Sequence, residues 1–142
     1  MESILLDTNV VSELMRSRPE QAVIEWFAQR AGKVFYVSVI TQAEIMLGIS
    51  LLPAGKRRDA LASAADDMFC QDFAERCLPF DASGVPIYAA LVSGRRRAGQ
   101  VISTEDALIA ATALTHGYPL ATRNTKDFLQ IDGLTLYNPW QN

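Results

Sequence analysis

The chain has 142 residues, 49% apolar and 20% charged, with a formal net charge of −3. That balance fits a soluble globular domain, residues 1–142, burying one core without staples, and no apolar run reaches the ~18 residues of a membrane span. A net acidic chain also argues against a protein that coats DNA by charge alone.

Met1-Glu2-Ser3 before Ile4-Leu5-Leu6 has neither a basic lead nor a long apolar stretch, so no secretory signal is expected and the cytoplasm is the expected compartment. Ile4-Leu5-Leu6 reads as a short buried strand ending at the polar group Asp7-Thr8-Asn9, with a helix from there through Leu14. A second helix is expected from Pro19 to about Arg30, with Pro19 in the first turn and Ala22, Val23, Trp26 and Phe27 as its apolar stripe. Val34-Phe35-Tyr36-Val37 is rich in β-branched and aromatic residues and reads as the second strand. Thr41 to Leu52 reads as a helix apolar on nearly every face, closed by Pro53 and Gly55.

Arg57 to about Glu75 reads as a long helix and Cys77-Leu78-Pro79-Phe80 as a third strand. Cys70 and Cys77 would stand about 10.5 Å apart along a helix, too far to bridge, which fits a reduced chain. Ala82 to Ala98 is the next helix, and Thr104 to His116, closed by Gly117, the strongest. Leu120-Ala121-Thr122 is a strand before a second polar group, Arg123-Asn124, and Leu134 to Tyr137 a last one. Strands alternating with helices imply a mainly parallel sheet covered on both faces. Ligands of such sheets sit at the carboxyl ends of the strands, which sets Asp7 and Arg123-Asn124 on one rim.

Three acids interrupt this pattern. Asp7 closes a buried strand, where it can also serve as a helix cap. Glu44 is the one charged residue between Val34 and Gly55. Burying it costs several kcal/mol unless a cation or hydrogen bonds offset the charge; otherwise it reaches the surface or pairs with an arginine. Asp106 opens an apolar helix, where Ser103 and Asp106 also approximate a capping box. With a single histidine, His116, there is no zinc cluster to build, so a metal here takes oxygen ligands, as Mg²⁺ or Mn²⁺ do. Such an ion can acidify a water and polarise a phosphoryl group without a side-chain nucleophile.

Leu5-Leu6-Asp7-Thr8-Asn9-Val10-Val11-Ser12-Glu13, Thr41-Gln42-Ala43-Glu44-Ile45-Met46-Leu47-Gly48-Ile49 and Asp106-Ala107-Leu108-Ile109-Ala110-Ala111-Thr112-Ala113 resemble, in order, the three acidic motifs of the PIN-domain family. Ala121 to Phe128 stands where the fourth belongs, and Asn138-Pro139-Trp140 resembles the ending of its FitB-like branch among the VapC-type toxins of toxin–antitoxin pairs. The resemblance implies an α/β three-layer fold (α/β/α), Mg²⁺- or Mn²⁺-dependent cleavage of an RNA substrate, homodimerisation and a cognate antitoxin protein as partner. By the same carry-over Asp7 and Asp106 are metal ligands, Glu44 binds the metal directly or through water, and Thr8, Asn9 and Thr104 are supporting residues or simply caps. Asn124 replaces an aspartate of some members and brings no charge; Asp127 could stand in, or be a solvated charge. A single-metal site is the working expectation.

Arg95-Arg96-Arg97 close a helix, a favourable place for cations, and also suit RNA phosphates. Trp26, Phe27 and Trp140 read first as core or interface aromatics. Two other functions compete. A PIN-like module could bind RNA or protein without cutting, and an aspartyl phosphatase could use Asp7, although that chemistry wants a second acid where Asn9 stands.

Overall fold

The computed structural model describes residues 2–141. Five strands, β1 (Ser3–Leu6), β2 (Val34–Ser38), β3 (Cys77–Leu78), β4 (Leu120–Ala121) and β5 (Leu136–Tyr137), form one sheet in the order β3-β2-β1-β4-β5. Every pairing is parallel, with Leu5 opposite both Tyr36 and Leu120. The helices are α1 (Thr8–Leu14), α2 (Gln21–Ala28), α3 (Val39–Ser50), α4 (Lys56–Asp67), α5 (Val85–Arg97) and α6 (Thr104–His116).

Side chains of a strand alternate between its faces, and β1 uses that alternation to found two cores. Ile4 and Leu6 pack with Val10, Val11, Trp26 and Val37 on one side. Leu5 packs with Ile109, Ala110, Ala113, Leu120 and Phe128 on the other. The expected three-layer α/β/α arrangement results. Among the described residues no helix is long and apolar enough to cross a membrane. Cys70 and Cys77 are free thiols.

Several boundaries differ from expectation, each for a local reason. Pro19 does not open α2. Glu20 is held extended (ψ 141°) while its N–H donates to Glu13 Oε2 at 2.7 Å, so the helix starts at Gln21. α3 starts two residues before Thr41 because Ser38 Oγ caps it, accepting from the Thr41 N–H at 3.1 Å. The expected helix to Glu75 is regular only to Asp67. A wider turn, Met68–Asp72, follows, and Glu75 is left-handed at φ 63°. Ala82–Gly84 is a tighter turn, after which α5 accepts Pro86 in its first turn, where a missing N–H costs nothing. α6 has the expected bounds, with Gly117 at φ 70° closing it.

The largest departure is α3. Its sequence suggests burial on every face, yet only Thr41 and Ile45 are buried, and Met46, Leu47 and Leu51 are 54%, 59% and 75% exposed. The helix lies on the outside of the molecule, one edge against α1 and α4.

Candidate functional site

The strand order reverses direction between β1 and β4: the chain builds outward from β1 through β2 to β3, then returns to β1's other side. Such a switch point leaves a crevice at the carboxyl ends of the two strands. Asp7 and Thr122 are the first residues beyond those ends, and the Asp7 N–H donates to the carbonyl of Ala121, the last residue of β4, at 2.9 Å. A cleft of about 550 Å³ opens there, and Asp7, Glu44 and Asp106 all line it. So do Asn9, Glu13, Arg16, Arg123, Asn124 and Trp140.

Asp7 is 4% exposed and fully engaged. Its Oδ1 accepts from the Thr8 N–H at 2.8 Å, so it is the helix cap the sequence allowed. Its Oδ2 accepts from Thr122 Oγ1 at 2.7 Å. Burial nevertheless dominates. It pushes the Asp7 carboxyl up to about 6, against the pull of these two hydrogen bonds and with the help of the Asp106 and Glu44 charges.

Thr8 does two jobs. Its hydroxyl donates to Glu44 Oε1 at 2.7 Å and lies 2.9 Å from Thr41 Oγ1, linking α1 to α3. Glu44 is half-buried: it reaches the cleft rather than open solvent and pairs with a hydroxyl rather than an arginine. Asn9 spans the rim, its Oδ1 accepting from the Arg123 N–H at 3.2 Å and its Nδ2 donating to Thr122 Oγ1 at 3.4 Å.

Asp106 stands in the first turn of α6, its N–H capped by Ser103 Oγ at 3.1 Å, which is one half of the expected capping box. Partial burial raises its carboxyl pKa against the pull of Ser103, and the Asp127, Glu44 and Glu105 charges add to the rise. Asp127 thus lies within electrostatic reach of Asp106 but does not line the cleft. Asn124 does line it, its N–H donating to Thr122 Oγ1 at 3.1 Å. Thr104 is exposed and outside the cleft lining.

The arginine run corrects one expectation. Arg95 is 8% exposed and turns inward: Nη1 donates to the Leu129 carbonyl at 2.6 Å and Nη2 to the Asp127 carbonyl at 3.1 Å. A guanidinium spent on backbone carbonyls cannot meet a phosphate. Arg96 and Arg97 are exposed on α5, outside the cleft lining.

Thr122 and Glu13 escaped the sequence reading, while Arg123, which it set on the rim, has a partner it did not show. Thr122 looked like the last residue of a strand, yet its hydroxyl joins Asp7, Asn9 and Asn124. Glu13 is 6% exposed and holds the Glu20 N–H and Arg16, which together keep its carboxyl below the usual range, the N–H most of all. Arg123 lies with its guanidinium carbon 5.0 Å from the centroid of the Trp140 ring. A polar residue directly after an apolar strand was the only local signal for any of them.

The donors suit a hard divalent cation. They are carboxylate oxygens in an open cleft, and one of them, Asp7, carries a buried charge that no cation among the described residues pairs with. Among the described residues no three acidic, histidine or cysteine side chains close on one point.

Comparison with known proteins agrees with this geometry. The PIN-domain model matches residues 4–134. The chain is 41% identical over 138 residues to the VapC ribonuclease Y4jK of Sinorhizobium fredii, covering 97% of this chain and 98% of that one. It is 40% identical over 139 residues to toxin FitB of Neisseria gonorrhoeae, covering 98% and 99%. Among solved structures, FitAB bound to a DNA fragment superposes with a TM-score of 0.87 at 38% identity, covering 98% of this chain and 96% of that one.

Proposed function

The chain belongs to the PIN-domain family, and we propose from that premise that it is a metal-dependent endoribonuclease, the toxin of a toxin–antitoxin pair, built as one domain over residues 1–142. The observation that carries this reading is the meeting of Asp7, Glu44 and Asp106, acids 37 and 62 positions apart, in one cleft at the sheet's switch point. Asp7 and Asp106 would hold Mg²⁺ or Mn²⁺, and Glu44 would do so directly or through water. When bound, the cation supplies positive charge that acidifies a water and polarises the phosphoryl group.

The chain's own residues do the rest. Thr122 and the Thr8 N–H fix the two oxygens of Asp7, so its carboxylate points one way whether or not it is protonated. Thr8 holds Glu44 facing the cleft, where the carboxylate can accept a proton from, and orient, the attacking water. Hydrogen bonds of this kind to ligand carboxylates typically change affinity or activity by about 10–100-fold when removed. Asn124 offers a neutral carbonyl where a second ion would want charge, which favours one metal per site.

Partners follow from the surface. The exposed apolar side of α3, with Met46, Leu47 and Leu51, is the face offered to a second copy of the chain or to an antitoxin. The FitAB relative, solved on DNA, supports an antitoxin partner.

Cleavage of a mixed RNA pool in Mg²⁺ or Mn²⁺, lost with EDTA and with Asp7→Asn, tests the enzyme reading. Intact RNA in manganese overturns it. The competing reading is a non-cleaving RNA- or protein-binding module. The same assay decides, since a pure binding module retains RNA or partner and never shortens it.

A further inference from the structure

An RNA strand crossing this cleft meets four acids, Asp7, Glu13, Glu44 and Asp106, and two cations, Arg16 and Arg123. Arg16 is already neutralised by Glu13 at 3.1 Å. Among the described residues no acid forms an ion pair with Arg123. The one positive charge lining the cleft outside an ion pair therefore belongs to the residue immediately after Thr122, the partner of Asp7, although its field reaches Glu13.

Arg123 is exposed, yet its surroundings hold it. Its N–H donates to Asn9 Oδ1 at 3.2 Å and its carbonyl accepts from Asn138 Nδ2 at 3.3 Å. Asn138 Oδ1 in turn accepts from the Trp140 N–H at 2.9 Å, fixing the backbone of the residue whose ring lies under the guanidinium. The indole packs against the core cluster with its Nε1 buried, so it forms a rigid platform. Stacking leaves the edges of a guanidinium plane, where all five N–H donors lie, free for an anion. A flexible surface arginine pays rotamer entropy to bind phosphate; one already held over an indole loses less.

We propose that Arg123, seated on Trp140, grips a phosphate of single-stranded RNA flanking the scissile one and so sets the strand's path across the acids. This rests on the ribonuclease reading above. The phosphate contact moves from the Arg95-Arg96-Arg97 run, one arginine of which is turned inward, to a residue on the rim itself.

The experiment measures fluorescence anisotropy of a labelled single-stranded RNA oligonucleotide with the full chain, Ca²⁺ replacing Mg²⁺, over a salt series, and cleavage of the same oligonucleotide in Mn²⁺. Arg123→Gln should weaken binding about tenfold and flatten the slope of log affinity against log salt by about 0.7, one phosphate contact on a single strand. In cleavage it should raise KM and leave kcat within a few-fold. Arg123→Lys keeps the slope and loses a few-fold of affinity, and Trp140→Phe does likewise; both report on the stacked geometry with the charge retained. Arg96→Gln with Arg97→Gln should change neither quantity. Wild-type affinity and slope in a folded Arg123→Gln protein, while the parent still binds and cuts RNA, overturn the assignment and leave the ribonuclease reading standing. A parent chain that neither binds nor cuts RNA overturns that reading, and this proposal with it.

Discussion

The hydroxyl of Thr122 donates to Oδ2 of Asp7 at 2.7 Å across 115 positions of sequence, and the two residues cap neighbouring strands at the point where the sheet reverses its order. That bond orients the most deeply buried acid of the cleft. It also receives two other groups on the same oxygen, Asn9 Nδ2 and the Asn124 N–H, so one hydroxyl collects most of the rim.

Thr122→Val keeps the shape and removes this centre. A buried acceptor on Asp7 is left unpaired, at a cost of about 1–3 kcal/mol. The hydrogen bond lowers the Asp7 pKa, so its loss should move the acid limb of the cleavage pH profile upward, and thermal unfolding should show the destabilisation. An unmoved acid limb would mean that Asp7 does not govern the activity.

Asp7→Asn separates stability from function. The carboxyl pKa rises from 3.8 unfolded to about 6 folded, so ionised Asp7 costs the folded chain about 3 kcal/mol at neutral pH. Asparagine removes the charge but presents an amide to the Thr122 hydroxyl, so part of the gain is lost. The variant should lose RNA cleavage and, without metal, melt a few degrees higher than the parent. A lower melting temperature would show that the carboxylate is stabilised rather than strained.

The pH dependence has a definite sign. A carboxyl whose pKa is raised on folding contributes stability that is fully present below 3.8 and is lost as pH rises through about 6. In EDTA, the stability of the parent relative to Asp7→Asn should therefore fall between about pH 4 and 6. Added Mn²⁺ should reverse that fall above pH 6, because protons compete with the ion for the same oxygens. Asp106 is shifted in the same direction, but it is common to both chains and drops out of this difference. Calorimetry across pH with and without Mn²⁺ checks both halves.

Thr8→Val cuts the hydroxyl bridge from α1 to Glu44 and Thr41 while keeping the side chain's volume. Glu44 should lose its fixed orientation, lowering kcat about 10–100-fold with a near-parental melting temperature. A variant with parental kcat would show that Glu44 is oriented by something else.

Arg95→Met tests the inward arginine. The carbonyls of Leu129 and Asp127 lose charged donors, each bond worth about 1.5–3 kcal/mol, so chemical denaturation should report a loss of several kcal/mol. Arg96→Gln with Arg97→Gln should stay within about 0.5 kcal/mol of the parent, as surface changes do.

The arrangement of elements was legible in the residues because it depends on short-range rules. Apolar runs of strand length alternate with helical stripes, Ser103 and Gly117 bracket α6 at the expected bounds, and polar groups stand where β1 and β4 stop. Parallel pairing follows from the alternation itself. The same logic sets Asp7 and Arg123-Asn124 on one rim, and the motif order supplies Glu44 and Asp106.

Tertiary neighbours decided the rest. α3 is apolar enough to be buried and is not, because burial depends on what packs against a helix and nothing among the described residues covers Met46, Leu47 or Leu51. Arg95 and Arg96 are identical residues side by side, and only the approach of Leu129 and Asp127 from more than thirty positions away makes one a structural tie and leaves the other in solvent. Thr122 and Arg123 matter through Asp7 and Trp140 respectively, partners that local pattern cannot see. Backbone preference acts over a few residues and is written in order along the chain; the partner of a side chain is whatever the folded path brings within hydrogen-bonding reach.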